Sequence, residues 1–291
     1  MRIVLPGGST LSDIEYHFPD LPLRSHAKLG PNFGMCPRTG TIYSLAARAK
    51  SYEGDYFLTE YAAQYGRTYV EDESHLRDLA RRRLALLGAA STGDTKTNPG
   101  AASSSRPKLL EIGCAAGFFL DEARTLGFDC AGLEISEFAA GYGRERLGLE
   151  IRTASFLDVE LEPRAYDVIA AFYVIEHFAR QRTVFQKIAA ALKPGGVFLF
   201  ALPSTNGPVF EYSPGEWQRT HPEDHFADYS PAALRRLLPA YDLRCAKLRP
   251  AAYHPGRARG LKGRLPAALY RWYANLRAYG DTLEGVARKS R

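Results

Sequence analysis

The sequence predicts an α/β protein: a doubly wound, mostly parallel sheet with a helical extension ahead of it. Two patterns carry that reading. From residue 108 onward, short apolar, β-rich runs alternate with helix-period segments, the arrangement of a parallel sheet covered on both faces. Ahead of them, residues 88–107 (GAASTGDTKTNPGAASSSRP) contain no apolar side chain larger than alanine, which marks a flexible linker.

The organisation that follows is an N-terminal extension over 1–87, a linker over 88–107 and a sheet domain over 108–291. The extension begins irregularly, with Pro and Gly scattered through residues 1–40. A tyrosine-rich stretch (Tyr52, Tyr56, Tyr61, Tyr65, Tyr69) leads into EDESHLRDLARRRLALLG at 71–88, where Leu76, Leu79, Leu84 and Leu87 fall near helical period. Acids open that segment and arginines follow, the order a helix dipole favours. The tyrosines suit either a lid over a bound ligand or the packing of this helix on the sheet domain.

In the sheet domain, KLLEIG (108–113) reads as the first strand and GFFLDEARTLG (117–127) as the helix after it. FDCAGLE (128–134), a helix ending near Leu147, EIRTAS (150–155) and YDVIAAFY (166–173) continue the alternation. RTVFQKIAAALKPGG (182–196) carries Val184, Ile188 and Leu192 on one stripe and reads as a helix, followed by the strand VFLFALP (197–203). Ser230-Pro231 supplies a capping residue and a first-turn proline for the helix SPAALRRLLP, and YDLRCAKLR follows as a strand.

Composition narrows the class. Apolar residues make up 45% and charged residues 24% of the 291, values that exclude disordered, collagen-like and disulfide-scaffold proteins. Cys36, Cys114, Cys130 and Cys245 show no paired short spacing, so neither a zinc ribbon nor a disulfide framework is expected and a reducing cytoplasm fits. The apolar run at the N-terminus is too short for a signal peptide, and the longest one, at 197–203, is far below the roughly 18 residues of a membrane span. The formal charge of +6 is unevenly placed. Residues 243–291 hold twelve Lys/Arg and two acids, whereas the other 242 residues carry 26 basic and 30 acidic groups.

Ligands of open α/β sheets sit outside the carboxyl ends of the strands, so the residues just after each strand are the candidates. After the first strand stands Glu111-Ile112-Gly113-Cys114-Ala115-Ala116-Gly117. Small residues there let the backbone approach a ligand, and the following helix offers its N–H groups. Glu134, ending the second strand, lies 21 residues beyond Gly113, the offset at which an acid grips a ribose diol. The glycines do not complete a dinucleotide fingerprint. The Glu111 carboxylate would repel a diphosphate and attract an ammonium group, which favours a nucleoside bearing an amino acid. Taken alone, the turn also suits a tight β–α connection with no ligand.

Together these segments resemble class I S-adenosylmethionine-dependent methyltransferases, in the ubiquinone-methyltransferase-like branch. LLEIGCAAGFFL is similar to the family's first motif, with Ala115 where glycine is common, and AGLEIS to its second-strand motif. YDVIAAFYVIEHF (166–178) and LKPGGVFLFALPS (192–204) resemble the fourth- and fifth-strand motifs. The stretch from 205 to about 245, with HPEDHFADYS, resembles the segment that closes the acceptor site in that branch. The resemblance implies a Rossmann-like, seven-stranded sheet whose last strand, DTLEGVARK (281–289), is antiparallel. It implies S-adenosylmethionine as cofactor, with Glu111, Gly113, Cys114, Ala115 and Gly117 on its methionine and ribose side. Glu134 would bind the ribose hydroxyls and Ile135 would pack on adenine. Ser155 stands where the family commonly has an acid, Phe156 beside it would stack, and Phe172 and Tyr173 would end the fourth strand beside the cofactor.

Methyl transfer from a sulfonium needs alignment and a deprotonated acceptor. A hydroxyl acceptor wants a base, and histidine titrates in the useful range. His177, in VIEH, is the first candidate, with packing around the cofactor pocket as its other reading; Glu176 is its structural neighbour. His221 and His225, in THPEDHF, are rivals, with the pinning of a loop as the alternative for His225. Trp217 and Tyr212 either line an acceptor pocket or anchor the connection. Segment 17–40 is similar to a zinc-binding segment found ahead of the domain in some relatives, but only Cys36, His17 and His26 remain as ligand types, so no metal is expected.

In the tail, GRLPAALYRWYANLRAYG (263–280) sets Leu265, Leu269, Trp272 and Leu276 on one helical stripe. It suits a helix covering the sheet, a peripheral membrane-surface helix, or nucleic-acid contact. The resulting reading is a cytoplasmic methyltransferase acting on an oxygen of a small-molecule or glycan-type acceptor, and the basic tail would favour an anionic one. The rivals are a methyltransferase of nucleic acid or protein and a non-catalytic cofactor-binding or interaction protein. Amino-directed DNA enzymes place Asn/Asp-Pro-Pro-aromatic where this chain has Phe172-Tyr173-Val174-Ile175, and no cysteine stands there for C5-pyrimidine chemistry. Nucleic acid is therefore disfavoured as acceptor.

Overall fold

The computed structural model describes residues 14–50, 59, 61–89 and 106–291. Tyr52, Tyr56 and most of the segment read as a linker (90–105) lie outside the described residues. In chain order the first elements are β1 (Phe33–Met35), β2 (Ile42–Ser44), α1 (Tyr61–Tyr65) and α2 (Glu73–Ala89). Then β3 (Lys108–Ile112), α3 (Phe118–Thr125), β4 (Asp129–Glu134), α4 (Glu137–Leu147), β5 (Glu150–Thr153), β6 (Tyr166–Phe172) and α5 (Gln181–Ala191) alternate. Next come β7 (Leu192–Asn206), α6 (Pro208–Tyr212), α7 (Pro214–Arg219), β8 (Ala227–Asp228) and α8 (Pro231–Leu237). The last elements are β9 (Leu243–Pro250), α9 (Gly260–Gly263), α10 (Ala267–Arg277) and β10 (Gly280–Lys289).

Seven strands form one sheet in the order β5-β4-β3-β6-β7-β10-β9, and β1-β2-β8 form a three-stranded one. β3 pairs in parallel with β4 and β6, and β4 with β5. This is the mostly parallel, seven-stranded, Rossmann-like sheet the sequence predicts, with DTLEGVARK in β10 inserted between β7 and β9. The chain divides into two compact units that interleave in sequence. One comprises Met1–Lys50, Tyr173–Gln186 and Phe200–Ala287, and the other Ser51–Phe172, Lys187–Leu199 and Arg288–Arg291.

In the second unit, β3 is paired on both edges, and its last four residues are all buried, which is why it reads as a continuous apolar run broken only by Glu111. The register sets Glu111 opposite Gly132 on one side and Ala170 on the other. Gly132 has no room for a side chain: a Cβ there would lie 2.6 Å from Cys114 Sγ. α2 packs beside α3 and is tied to it by Arg77, whose guanidinium meets Asp121 at 2.8 Å and Glu122 at 3.1 Å.

Three local features differ from the sequence reading or settle what it left open. The helix read over 182–196 stops at Ala191, and Leu192–Gly196 belong to β7: Pro194 brings no N–H to a helix and Gly195 adopts φ +77°. Residues 33–35 and 42–44 pair as strands too short to show a period. α10 buries Tyr270 and Ala274 and leaves Leu269, Trp272 and Leu276 in solvent, because the Tyr270–Ala274–Tyr279 cluster, with Leu265 packed on it, takes the other face of the helix inward.

In the first unit, His17 is buried among tyrosines. Its Nδ1 lies 2.8 Å from the Tyr241 hydroxyl and its Nε2 2.8 Å from that of Tyr229. Tyr229 donates to Gln181 Oε1 at 2.6 Å, so its oxygen accepts from His17 Nε2–H, and Nδ1 accepts from Tyr241. Burial lowers the pKa of the ring to about 3. An unfolded histidine titrates near 6.5. Between those values the native ring binds fewer protons than the unfolded one, so its contribution to stability is complete above about 6.5 and falls by about 1.4 kcal/mol per pH unit on acidification. Urea unfolding of the wild type and a His17→Gln variant, at neutral pH and about 1.5 units below the unfolded value, should show the wild type losing about 2 kcal/mol more. Equal losses would contradict this assignment.

Candidate functional site

In the second unit, strand order turns back between β3 and β6, the place where open α/β sheets bind ligands. The turn leaving β3 is closed by its own backbone: Gly113 and Cys114 N–H both donate to Leu133 O (2.8 and 3.2 Å), and Gly117 N–H to Cys114 O (2.8 Å). Gly113, Ala115 and Gly117 all have positive φ (67°, 47° and 84°). At Gly117 a side chain is excluded twice, by that φ and by Leu149 Cδ1, 2.5 Å from where a Cβ would stand.

Glu134 holds this turn from the end of β4. Its Oε2 accepts the Ala115 N–H at 2.8 Å and its Oε1 the Ser136 N–H at 2.9 Å. Ser136 in turn caps α4, accepting the Ala139 N–H at 3.4 Å. Burial raises the Glu134 pKa, and the backbone donors oppose that rise. Each carboxylate oxygen has a second lone pair, so the clamp leaves acceptor capacity for ribose hydroxyls.

Glu111 differs: it is buried, and its Oε2 has no hydrogen-bond partner among the described residues. Burial pushes its pKa well above the ordinary carboxylate range; the Arg83 charge pulls it back and Glu134 adds to the rise. Arg83, buried on α2, lays its guanidinium 4.1 Å from the centre of the Phe172 ring, and Phe172 packs edge-on to Phe119 at 4.8 Å. Tyr69 stacks on Phe118 at 5.8 Å, and burial with the Glu111 and Glu134 charges holds its hydroxyl protonated. Ile135 is 50% exposed. Ser155 Oγ accepts the Leu157 N–H at 3.3 Å. The Phe156 ring is buried under Lys187, whose Nζ lies 5.1 Å from its centre. Cys114 is buried and its thiol pKa is driven well up, so it has no nucleophile's character.

Sequence reasoning missed Arg83 and the placement of Tyr69. A signal for Arg83 existed: Ala80, Arg83, Leu84 and Leu87 share one face of α2, and all four are buried. These residues fit a nucleoside that carries an amino acid. A partnerless carboxylate oxygen suits an ammonium group, a clamped turn suits close backbone approach, and an exposed isoleucine suits a base.

The first unit gathers the histidines. Glu176 and His177 lie in the short 3-10 turn Ile175–His177. His177 Nδ1 meets Asp224 Oδ2 at 3.2 Å and Asp224 O at 3.2 Å. Burial opposes charging of His177, but Asp224 and Glu176 outweigh it and raise its pKa above the usual imidazole value. Glu176 is buried with Oε2 partnerless among the described residues, and burial raises its pKa to about 7 despite the nearby His177. His225 packs edge-on to His177, rings 4.6 Å apart; burial, then His177 and His221, lower its pKa to about 3. His221 Nε2 pairs with Asp228 Oδ2 at 2.8 Å and packs on Trp217 at 4.7 Å and Phe33 at 5.2 Å. Trp217 also meets Phe210 at 5.0 Å, so it anchors this segment. Tyr173 is 38% exposed, with φ +55°.

Two groups of metal-capable side chains occur among the described residues: Glu176, His177 and His225, and His221, His225 and Asp228, each with ligand atoms within 4.8 Å of one another. In both, a carboxylate already engages an imidazole, Asp224 on His177 and Asp228 on His221.

A family profile described as a methyltransferase domain matches residues 73–248, more than half of the chain. The chain is 30% identical over 131 residues to a protein of Mycolicibacterium smegmatis named "probable S-adenosylmethionine-dependent methyltransferase", covering 45% of this chain and 49% of that one. It is 26% identical over 162 residues to the ubiquinone biosynthesis O-methyltransferase of Burkholderia vietnamiensis, covering 51% of this chain and 69% of that one. The chain thus spans about half of the first relative's length and about two thirds of the second's. A crystal structure of a SAM-dependent methyltransferase from Archaeoglobus fulgidus shares the fold at a TM-score of 0.51 and 14% identity, over 79% of this chain and 98% of that one.

The turn yields a stability test. Gly117→Ala puts a side chain into the left-handed region and against Leu149, and should cost about 1–3 kcal/mol in urea unfolding. Ala115→Gly relieves the same strain while loosening the unfolded chain, so its stability should stay within about 1 kcal/mol of wild type. The opposite ranking would contradict the turn geometry.

Proposed function

Since the chain belongs to the methyltransferase-domain family, we infer that it is an S-adenosylmethionine-dependent enzyme, transferring a methyl group in line to an oxygen of a small-molecule or glycan-type acceptor. The observation that carries the cofactor reading is the buried Glu111 carboxylate, whose Oε2 has no partner among the described residues and suits the ammonium of an amino-acid-bearing nucleoside. Residues 108–291 form the methyltransferase domain in this reading, and residues 1–87 an extension that lends Arg83 and Tyr69 to it. When bound, S-adenosylmethionine supplies an electrophilic methyl on a sulfonium.

Glu111 would hold the amino group and Glu134 the ribose hydroxyls, while Glu134 also fixes the turn through the Ala115 N–H. Ile135 would pack on the adenine. His177 follows Phe172 by five residues and is the base. Asp224 fixes its Nδ1–H tautomer, so Nε2 would take the proton that the acceptor's hydroxyl gives up on methylation. His225, kept neutral, packs against that ring without competing for the proton.

Transfer of label from methyl-labelled S-adenosylmethionine into fractionated metabolites identifies the acceptor; no labelled product from any pool, with cofactor binding intact, would sink the enzyme reading. With an acceptor in hand, His177→Ala should lower turnover by about 10²–10⁴-fold. Protonated His177 cannot accept a proton, so the rate should rise with pH through a midpoint above the ordinary imidazole value of about 6.5. Asp224→Asn removes the charge that raises it and should move the midpoint to lower pH. A midpoint unmoved by Asp224→Asn would remove His177 from the base role.

A further inference from the structure

α10 turns an apolar face to solvent. Leu269, Trp272 and Leu276, spaced as one helical stripe, are 52, 64 and 63% exposed, and Leu261 on α9 is 84% exposed. The opposite face is anchored, because Tyr270 and Ala274 are buried with Tyr279, and Leu265 and Tyr273 pack against them. The exposed stripe is therefore mounted on a packed helix.

The segment that carries it holds one sign of charge. Residues 251–280 include Arg257, Arg259, Lys262, Arg264, Arg271 and Arg277 and no Asp or Glu. Lys262 pairs with Glu211 at 2.6 Å and Arg257 with Asp281 at 3.1 Å. Arg259, Arg264, Arg271 and Arg277 are exposed and make no ion pair among the described residues.

We propose that α9 and α10 form a docking surface for a lipid bilayer containing anionic lipid. The exposed leucines and Trp272 enter the interfacial layer, and the four arginines meet headgroup phosphates. Charge complementarity selects this occupant. A second copy of the chain, in a two-fold contact, would set these cations against themselves. A nucleic acid would satisfy the arginines and leave the apolar stripe against a polyanion. No helix among the described residues is long and apolar enough to cross a membrane, so the contact is peripheral.

The test is sedimentation of the full chain with phosphatidylcholine vesicles, with and without phosphatidylglycerol. Binding should require the anionic lipid and weaken with added salt. Arg264→Gln with Arg271→Gln should weaken it roughly fivefold per charge, and Trp272→Ser with Leu276→Ser roughly tenfold per side chain. All four side chains face solvent, so unchanged thermal melting of the variants confirms that folding is intact. Absence of binding to anionic vesicles would overturn the proposal, as would binding indifferent to the Trp272/Leu276 variant. Tighter binding to duplex DNA than to the vesicles would favour nucleic acid instead. A dimer in light scattering that Trp272→Ser dissolves would favour a second copy.

Discussion

One buried carboxylate organises the cofactor half of this protein. Glu134 ends β4 and accepts N–H groups from two directions, Ala115 in the turn that leaves β3 and Ser136 at the head of α4. A single side chain thereby sets where two strands end and where a helix begins. The turn it clamps holds three residues at positive φ, one of them the non-glycine Ala115, a conformation that persists only when the surroundings impose it. In the proposed reading the same acid meets the ribose hydroxyls, so the group that shapes the turn would also read the ligand.

Glu134, Glu111 and Glu176 are all buried, and their environments divide their roles. Glu134 is satisfied by backbone donors. Glu111 keeps one oxygen without a partner among the described residues, and the Arg83 charge is set against its burial. A buried polar atom left in this way costs about 1–3 kcal/mol, a cost that a cationic ligand removes. Glu176 is the counterpart in the other unit, where burial raises its pKa to about 7 beside the Asp224–His177 pair.

The sheet and the turn were legible because they rest on local rules. β3 reads as a continuous apolar run because both its edges are paired, Gly113 and Gly117 are required by backbone geometry, and Ser230-Pro231 announces α8 through capping chemistry that the structure repeats, with the Ala233 N–H on Ser230 Oγ at 3.0 Å. What escaped depends on contacts between distant segments. Asp224 reaches His177 across 47 residues and His17 reaches Tyr241 across 224, separations on which no periodicity bears. Arg83 was visible on the buried face of α2, yet an arginine there looks like an interruption until its ring and carboxylate neighbours are known. Which face of α10 packs was left open for a related reason: a tyrosine–alanine stripe is weaker in hydrophobicity than a leucine–tryptophan one, and packing chose the weaker.

The central claim is that Glu111 receives the cofactor's ammonium group. Burial raises the pKa of Glu111, and an approaching cation must lower it, so binding should drive a proton off the protein. Calorimetric titration with S-adenosylhomocysteine at mildly acidic pH, in buffers of different ionisation enthalpy, measures that proton directly. The account predicts binding with net proton release, and a Glu111→Gln variant that binds more weakly and releases none. Absence of binding, or the same affinity and proton exchange in Glu111→Gln, would contradict it.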